Sequence, residues 1–250
     1  FAGDAETAFS AVAKKRAEVK LKDLNREQRQ ELSAAKDKEL KSWLVNHVVE
    51  AAVREGVSAK ALMRMRWVVT FKDDGSLKAR LVVQGFTDPH LGHLKTASPT
   101  CSRRARHIFL TLAASLGYEV LRGDVRTAFL QGDEGEEDRG VLAEPVAELK
   151  AALKLEHHQC VKLLKAVYGL VNAPRRWWTR VRADLQKLGW TEVTTEPCFW
   201  LKRNATGQIV AMAVCHVDDF MVAASQCKDG QEALKGLQDA YEWGLWESRT

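Results

Sequence analysis

The run Val214-Cys215-His216-Val217-Asp218-Asp219-Phe220-Met221-Val222 sets two adjacent carboxylates between apolar, strand-like segments. A core strand does not tolerate neighbouring anions unless they are paired or bind a cation. The tip of a tight hairpin can hold them at a sheet edge, aimed at a common point, although Asp-Asp turns are also common on surfaces. A third carboxylate stands upstream in Leu121-Arg122-Gly123-Asp124-Val125-Arg126-Thr127-Ala128-Phe129-Leu130, at the end of a short strand-like run. Alone it reads equally well as a cap. Together, a strand-end Asp and a distant Asp-Asp hairpin have the layout of a nucleotidyl-transfer site with two divalent ions about 3.5–4 Å apart. In-line attack of a hydroxyl on an α-phosphate needs both the attacking and the leaving oxygen stabilised. Mg²⁺ prefers hard oxygen ligands and keeps waters, so a few carboxylates plus substrate phosphates suffice. Asp124 and Asp218 are the expected main ligands, with Asp219 in support. Two Mg²⁺ ions are the expected cofactors, with Mn²⁺ as a substitute.

These residues need a framework, and the periodicities point to an α/β (α+β) fold. Residues 14–41 are rich in helix formers, and 39–54 put Leu40, Trp43, Leu44, His47, Val48 and Ala51 on one face. Two helices are therefore predicted, packed outside the rest, making 1–59 a peripheral helical segment. Residues 64–72 and 77–86 read as a hairpin around Asp73-Asp74-Gly75-Ser76. On its second strand Lys78 and Arg80 alternate with apolar residues, so both cations share a face. Ser102 is a candidate N-cap for a helix that Gly117 stops. Residues 118–124 read as a strand, 132–148 as an exposed acidic connection and 160–164 as a short strand. Asn172 to Pro174 opens a helix with a Trp177, Val181, Leu185 and Leu188 stripe. Strands follow at 198–203, 208–215 and 220–224, then a last helix at 229–241. The division is 1–59, a central 60–225, and 226–250 as a helix and its continuation.

Of 250 residues, 46% are hydrophobic and 28% charged, which allows one large core or two modest ones. The net charge of +5 is modest but unevenly spread. Residues 60–106 hold ten Lys or Arg against three Asp, and 162–187 hold seven against one. Two basic blocks suit a polyanion, though a solvated basic surface is the plainer reading. The five cysteines form no CxxC pair, so a zinc site is unsupported and reduced thiols in an intracellular protein are expected. No run suits a signal peptide or a bilayer span. A start at Phe1 suggests a piece of something longer.

Five segments now align in order between about residues 64 and 225. They are Arg66-Trp67-Val68 with Lys78-Ala79-Arg80-Leu81-Val82-Val83-Gln84-Gly85-Phe86; Ala97-Ser98-Pro99-Thr100; Asp124-Val125-Arg126-Thr127-Ala128-Phe129-Leu130-Gln131-Gly132-Asp133; Val167-Tyr168-Gly169-Leu170-Val171-Asn172-Ala173-Pro174-Arg175-Arg176-Trp177-Trp178; and Val217-Asp218-Asp219. The series resembles the reverse transcriptases of copia-type long-terminal-repeat retrotransposons. The resemblance implies an RNA-directed DNA polymerase: a palm with an antiparallel sheet backed by two helices, a fingers hairpin over it, and a truncated right-hand fold. It implies that Lys72 and Arg80 contact the triphosphate of a dNTP and that Phe129 lies under the sugar and excludes a 2′-hydroxyl. Tyr168 and Gly169 would line the nucleotide pocket. Lys78, Arg175, Arg176, Trp178 and His216 would face an RNA template and DNA primer. The simpler readings are that Lys72 and Lys78 solvate a hairpin and that Phe129 and Trp177 are core. RNase H and integrase would be neighbours in a Pol polyprotein, in the cytoplasm within a virus-like particle and also in the nucleus, with no membrane partner. The resemblance implies fingers and palm over 60–225, with 226–250 as a palm helix and the start of the thumb region, which is otherwise missing here. His216 stands where the family usually has Tyr or Phe, and the acidic run 133–138 replaces an aromatic-rich continuation. The alternative is a decayed or domesticated remnant that binds nucleic acid without catalysis; an unrelated metal-dependent phosphotransferase would not carry the five ordered segments.

Overall fold

The computed structural model describes residues 18–58, 61–132 and 140–248. The acidic run 133–138 and the start of the first expected helix lie outside the described residues. The first helix, α1 (Arg26–Val45), opens on a capping box in which Asn25 and Gln28 each accept the other's backbone N–H. The strands β1 (Val49–Val53), β2 (Leu62–Phe71) and β3 (Leu77–Val83) follow, then α2 (Arg103–Leu116) and β4 (Glu119–Val125). Next come β5 (Leu142–Glu144), α3 (Ala147–Ala152), β6 (Gln159–Leu163), α4 (Ala173–Lys187) and β7 (Thr191–Val193). The chain closes with β8 (Glu196–Arg203), β9 (Ile209–His216), β10 (Asp219–Ala224), α5 (Lys228–Asp239) and β11 (Trp243–Ser248). No helix among the described residues is long and apolar enough to cross a membrane.

Two sheets organise the molecule. One is antiparallel in the order β11-β4-β10-β9-β8-β7. Its core takes Phe109 from α2, Trp177, Val181 and Leu185 from α4, and Leu237 from α5. Three helices therefore back it, where two were expected. The other sheet runs β1-β6-β5-β2-β3, with β2 and β5 parallel and the remaining pairs antiparallel. Its core holds Trp43, Met63, Leu81, Leu149 and Val161. Phe129 packs against both cores, which places the chain after β4 at their junction.

Several expectations are corrected. The helix expected over 39–54 stops at Val45; His47 takes a φ of +50° and Val49–Val53 pairs with β6. Tertiary pairing overrides the helical spacing there, because β-branched Val48 and Val49 suit a strand and have a partner in Val161 to Leu163. The N-terminal part is also not peripheral: Trp43 is fully buried and α1 lies along β3. The connection expected over 132–148 contains β5 and α3, with Ala143 and Leu149 fully buried. The returning strand ends at Val83, three residues early, because the chain turns at Gly85 against the backbone of Gly169. Strands β7 and β11 were not anticipated.

Local signals held elsewhere. The Ser102 hydroxyl accepts from the Ala105 amide at 3.0 Å, and Gly117 ends α2 in the left-handed region at φ +67°. Trp177, Val181 and Leu185 form the buried stripe of α4, while Leu188, expected as its fourth member, is the C-cap residue and only half-buried.

Candidate active site

In the antiparallel sheet β4 and β10 are neighbours, and their register sets Asp219 directly opposite Asp124. Opposed residues on antiparallel strands project to one face, so these carboxylates share a side of the sheet. Strands β9 and β10 close through Val217 and Asp218 alone, with His216 opposite Asp219. The tip is held from two directions. The Val125 amide donates to the Asp218 carbonyl at 2.9 Å, and the Trp177 indole N–H donates to the Val217 carbonyl at 2.8 Å.

The electrostatics are those of crowded, partly dried anions. Burial pushes the Asp124 carboxyl above its usual range, and the charges of Asp218 and Asp219 push it further, against Lys78 and Arg122. Burial likewise raises Asp218, with Asp219 adding to the rise and a backbone hydrogen bond, Arg80 and Lys78 opposing it. Asp219 is drawn toward Arg122, at 3.5 Å. Among the described residues no three His, Cys, Asp or Glu side chains converge closely enough to make an ion site by themselves. The donor set of Asp124 and Asp218 still suits a hard divalent cation. Both offer carboxylate oxygens, both are desolvated, and a cation would relieve their strain, with waters and phosphates filling the remaining positions.

Across the junction, β3 supplies the cations. The Lys78 ammonium is pulled below the usual lysine range by burial and by Arg80, while Asp124, Glu39 and Asp218 pull it upward. Lys78, expected on the nucleic acid, thus stands in the field of the carboxylates. The Arg80 guanidinium lies 5.3 Å from the Tyr168 ring, and Tyr168 meets Phe129 edge to face at 5.2 Å. Burial pushes the Tyr168 phenol up to about 12, so it stays protonated. Lys72 is not gathered with this group: it stays exposed at the β2–β3 turn, where its charge acts on Asp74. Gly169, expected to line the pocket, has a firm structural duty. At φ +94° its carbonyl accepts from the Gly85 amide at 3.2 Å, and a Cβ there would meet the Val83 carbonyl oxygen at 2.0 Å.

On α4, Trp178 is bracketed by the Arg175 and Arg182 guanidinium groups at 5.9 and 5.5 Å. Arg175 also donates to the Ala97 carbonyl at 2.9 Å, and Arg182 pairs with Glu192 at 2.8 Å. Arg176 lies with Arg180, Lys187 and Phe129 around a cavity of about 90 Å³. His216 is exposed at the end of β9.

The roles of four residues do not show in the sequence: Glu39, Trp177, Trp243 and Trp246. Glu39 of α1 is buried and accepts from the Trp43 indole and from the Leu81 amide, each at 3.2 Å. Burial raises its carboxyl against these hydrogen bonds and against Arg80 and Lys78. Inside a run of helix formers such a Glu looks like any solvated position. Trp177 carries the hairpin contact, which a buried stripe does not disclose. Trp243 and Trp246 of β11 cover Gly123, where a Cβ would meet the Trp243 ring at 2.5 Å. The apolar spacing in Trp243-Gly244-Leu245-Trp246 was the available signal for that strand.

Residues 51–243 match the family described as reverse transcriptase (RNA-dependent DNA polymerase). The retrovirus-related Pol polyprotein from transposon TNT 1-94 of Nicotiana tabacum is 30% identical over 223 residues, covering 86% of this chain and 16% of that polyprotein. The retrovirus-related Pol polyprotein from transposon RE1 of Arabidopsis thaliana is 29% identical over 193 residues, covering 75% of this chain and 13% of its own length. The chain therefore spans well under a fifth of these curated relatives. The crystal structure of prototype foamy virus protease-reverse transcriptase aligns with 93% of this chain and 26% of its own at 14% identity, with a TM-score of 0.45.

Proposed function

This chain belongs to the reverse transcriptase (RNA-dependent DNA polymerase) family, in its copia-type retrotransposon branch, and we propose that it is the fingers and palm of an RNA-directed DNA polymerase acting by two-metal nucleotidyl transfer. The observation that carries this reading is the register of Asp219 on Asp124, with Asp218 in the two-residue turn beside them. Divalent ions, when bound, supply charge stabilisation for the attacking and leaving oxygens. Asp124 and Asp218 would hold them, and Asp219, balanced by Arg122, would tune the site. Lys78 and Arg80 reach the same region from the other sheet, where they would neutralise a dNTP triphosphate; the Arg fork suits bidentate phosphate contact. Tyr168 and Phe129, stacked edge to face, would form the floor under the sugar. Arg175, Arg176, Trp178 and His216 remain the candidates for template and primer. RNase H and integrase would be supplied by other parts of a longer Pol product.

Primer extension on an RNA template with Mg²⁺ or Mn²⁺ tests this, on the chain itself and on a longer polypeptide that includes the family's thumb. Extension lost on Asp218→Asn is the expected result. No extension by the longer polypeptide, with salt-sensitive nucleic-acid binding retained, would leave a binding remnant in place of a polymerase.

A further inference from the structure

Val217 is one of four non-glycine residues with positive φ among the described residues, at +60°. It is β-branched, and for such a side chain the left-handed region is a true outlier. Its place, the first residue of a two-residue hairpin turn, is where glycine is normally found when that φ is positive. Strain of this kind persists only where the surroundings over-determine it. Here the surroundings are specific. The Val217 carbonyl takes the Trp177 indole N–H at 2.8 Å, and Trp177 is only 2% exposed. The Trp177 ring lies 5.5 Å from Tyr241, Tyr241 lies 6.2 Å from Phe220, and Phe220 lies 5.5 Å from Trp243. Phe220 follows Asp219 directly. The next carbonyl of the turn, that of Asp218, is held by the Val125 amide of β4. Two consecutive peptide carbonyls of the acidic turn are thus tied to two different elements.

We propose that Trp177 is a positioning residue: its indole N–H stabilises the strained Val217 backbone and so holds Asp218 and Asp219 at the angle at which Asp218, with Asp124, would hold a divalent ion. The proposal rests on the nucleotidyl-transfer reading for its purpose, but its geometry is independent of it. Packing alone does not demand an indole. Phenylalanine would fill much of the same space against Tyr241, and would leave the Val217 carbonyl without this donor.

The test is a cycle of Trp177→Phe, Val217→Gly and the double variant, read in two ways on the intact chain. The first is amide hydrogen exchange. In Trp177→Phe, exchange at Val217 to Phe220 is expected to rise at least tenfold, with β8 unchanged and the melting temperature lower by only about 2–4 °C. The second is Mn²⁺ binding followed by electron paramagnetic resonance. Trp177→Phe is expected to weaken it about tenfold. Val217→Gly in that background is expected to restore most of the loss, because glycine takes a positive φ without the steric cost. Equal exchange and equal Mn²⁺ binding in wild type and Trp177→Phe would overturn the proposal, as would a loss that Val217→Gly does not restore. If wild type binds no Mn²⁺, the metal reading falls, and hydrogen exchange alone then decides the role of Trp177.

Discussion

Burial raises the cost of ionising both Asp124 and Asp218, and neighbouring carboxylates add to it (Asp218 and Asp219 at Asp124, Asp219 at Asp218), which gives the metal-free chain a testable pH dependence. Their carboxyls lie above the ordinary Asp value of 3.8 in the folded chain. Between that value and the raised one, the folded state keeps protons that the unfolded chain has released. Stability from these groups therefore falls as pH climbs through the window, and the penalty stays in full above it. Asp218→Asn removes one of the charges. In EDTA at pH 7 the variant is expected to be more stable than wild type by about 1 kcal/mol, a typical screened like-charge repulsion. The advantage should shrink as pH falls toward 3.8, followed by urea midpoints. Adding Mn²⁺ should reverse the order, raising the midpoint of wild type and leaving the variant nearly unmoved, since only the form that binds the ion gains by mass action. A variant less stable than wild type in EDTA at neutral pH would show that the carboxylates are not in conflict.

At the scale of elements, the decisive contacts are places where backbone meets backbone. The end of β3 is joined to the turn before α4 by Val83 donating to the Tyr168 carbonyl at 2.9 Å and by Gly85 donating to that of Gly169. A Cβ on Gly85 would meet the Gly169 carbonyl oxygen at 2.2 Å. These are main-chain atoms that cannot rotate away. Gly169→Ala is expected to cost at least about 2–3 kcal/mol through both the positive φ and the clash. Because the clash falls on Val83, where β3 meets the segment that carries Tyr168, it should also raise the KM for dNTP in the extension assay. Trp43→Ala tests whether α1 is integral. A fully buried Trp there predicts a loss of about 3–5 kcal/mol in equilibrium unfolding, where a peripheral helix would lose almost nothing.

For the whole molecule, two sheets with separate cores meet at Phe129, and carboxylates from one face cations from the other. On α4, Trp178 lies between two guanidinium groups, so an aromatic ring and positive charge, which attracts polyanions over longer range, stand side by side. Single-stranded RNA binding should show both parts separately. Arg175→Ala is expected to lower the slope of log K against log salt by about 0.7, the value for one phosphate contact on a single strand. Trp178→Ala should instead weaken binding by about 1–3 kcal/mol, the worth of one stacked base, and leave that slope unchanged. If Trp178→Ala has no effect on binding, the bracketed ring serves only to tie α4 to β8, where its indole N–H approaches the Pro197 carbonyl at 3.5 Å.

What was legible in the chain was what is chosen locally. The Asp-Asp turn between two apolar runs, the Ser102 cap, the Gly117 stop, the alternation of Lys78 and Arg80 and the α4 stripe each depend on residues within a few positions of one another. Their reading and their structure agree. Tertiary structure alone decided β1 and β5, because a three- to five-residue segment becomes a strand only when a neighbour offers a free edge in register. It also decided Glu39, whose burial is set by β3 lying across α1 and not by anything in the helix. The same holds for Val217: the sequence placed the two carboxylates after it, but its left-handed backbone shows only with Trp177, forty residues upstream, against its carbonyl. A carboxylate pair can be found by counting along the chain; the angle at which it is held depends on groups that folding brings from elsewhere.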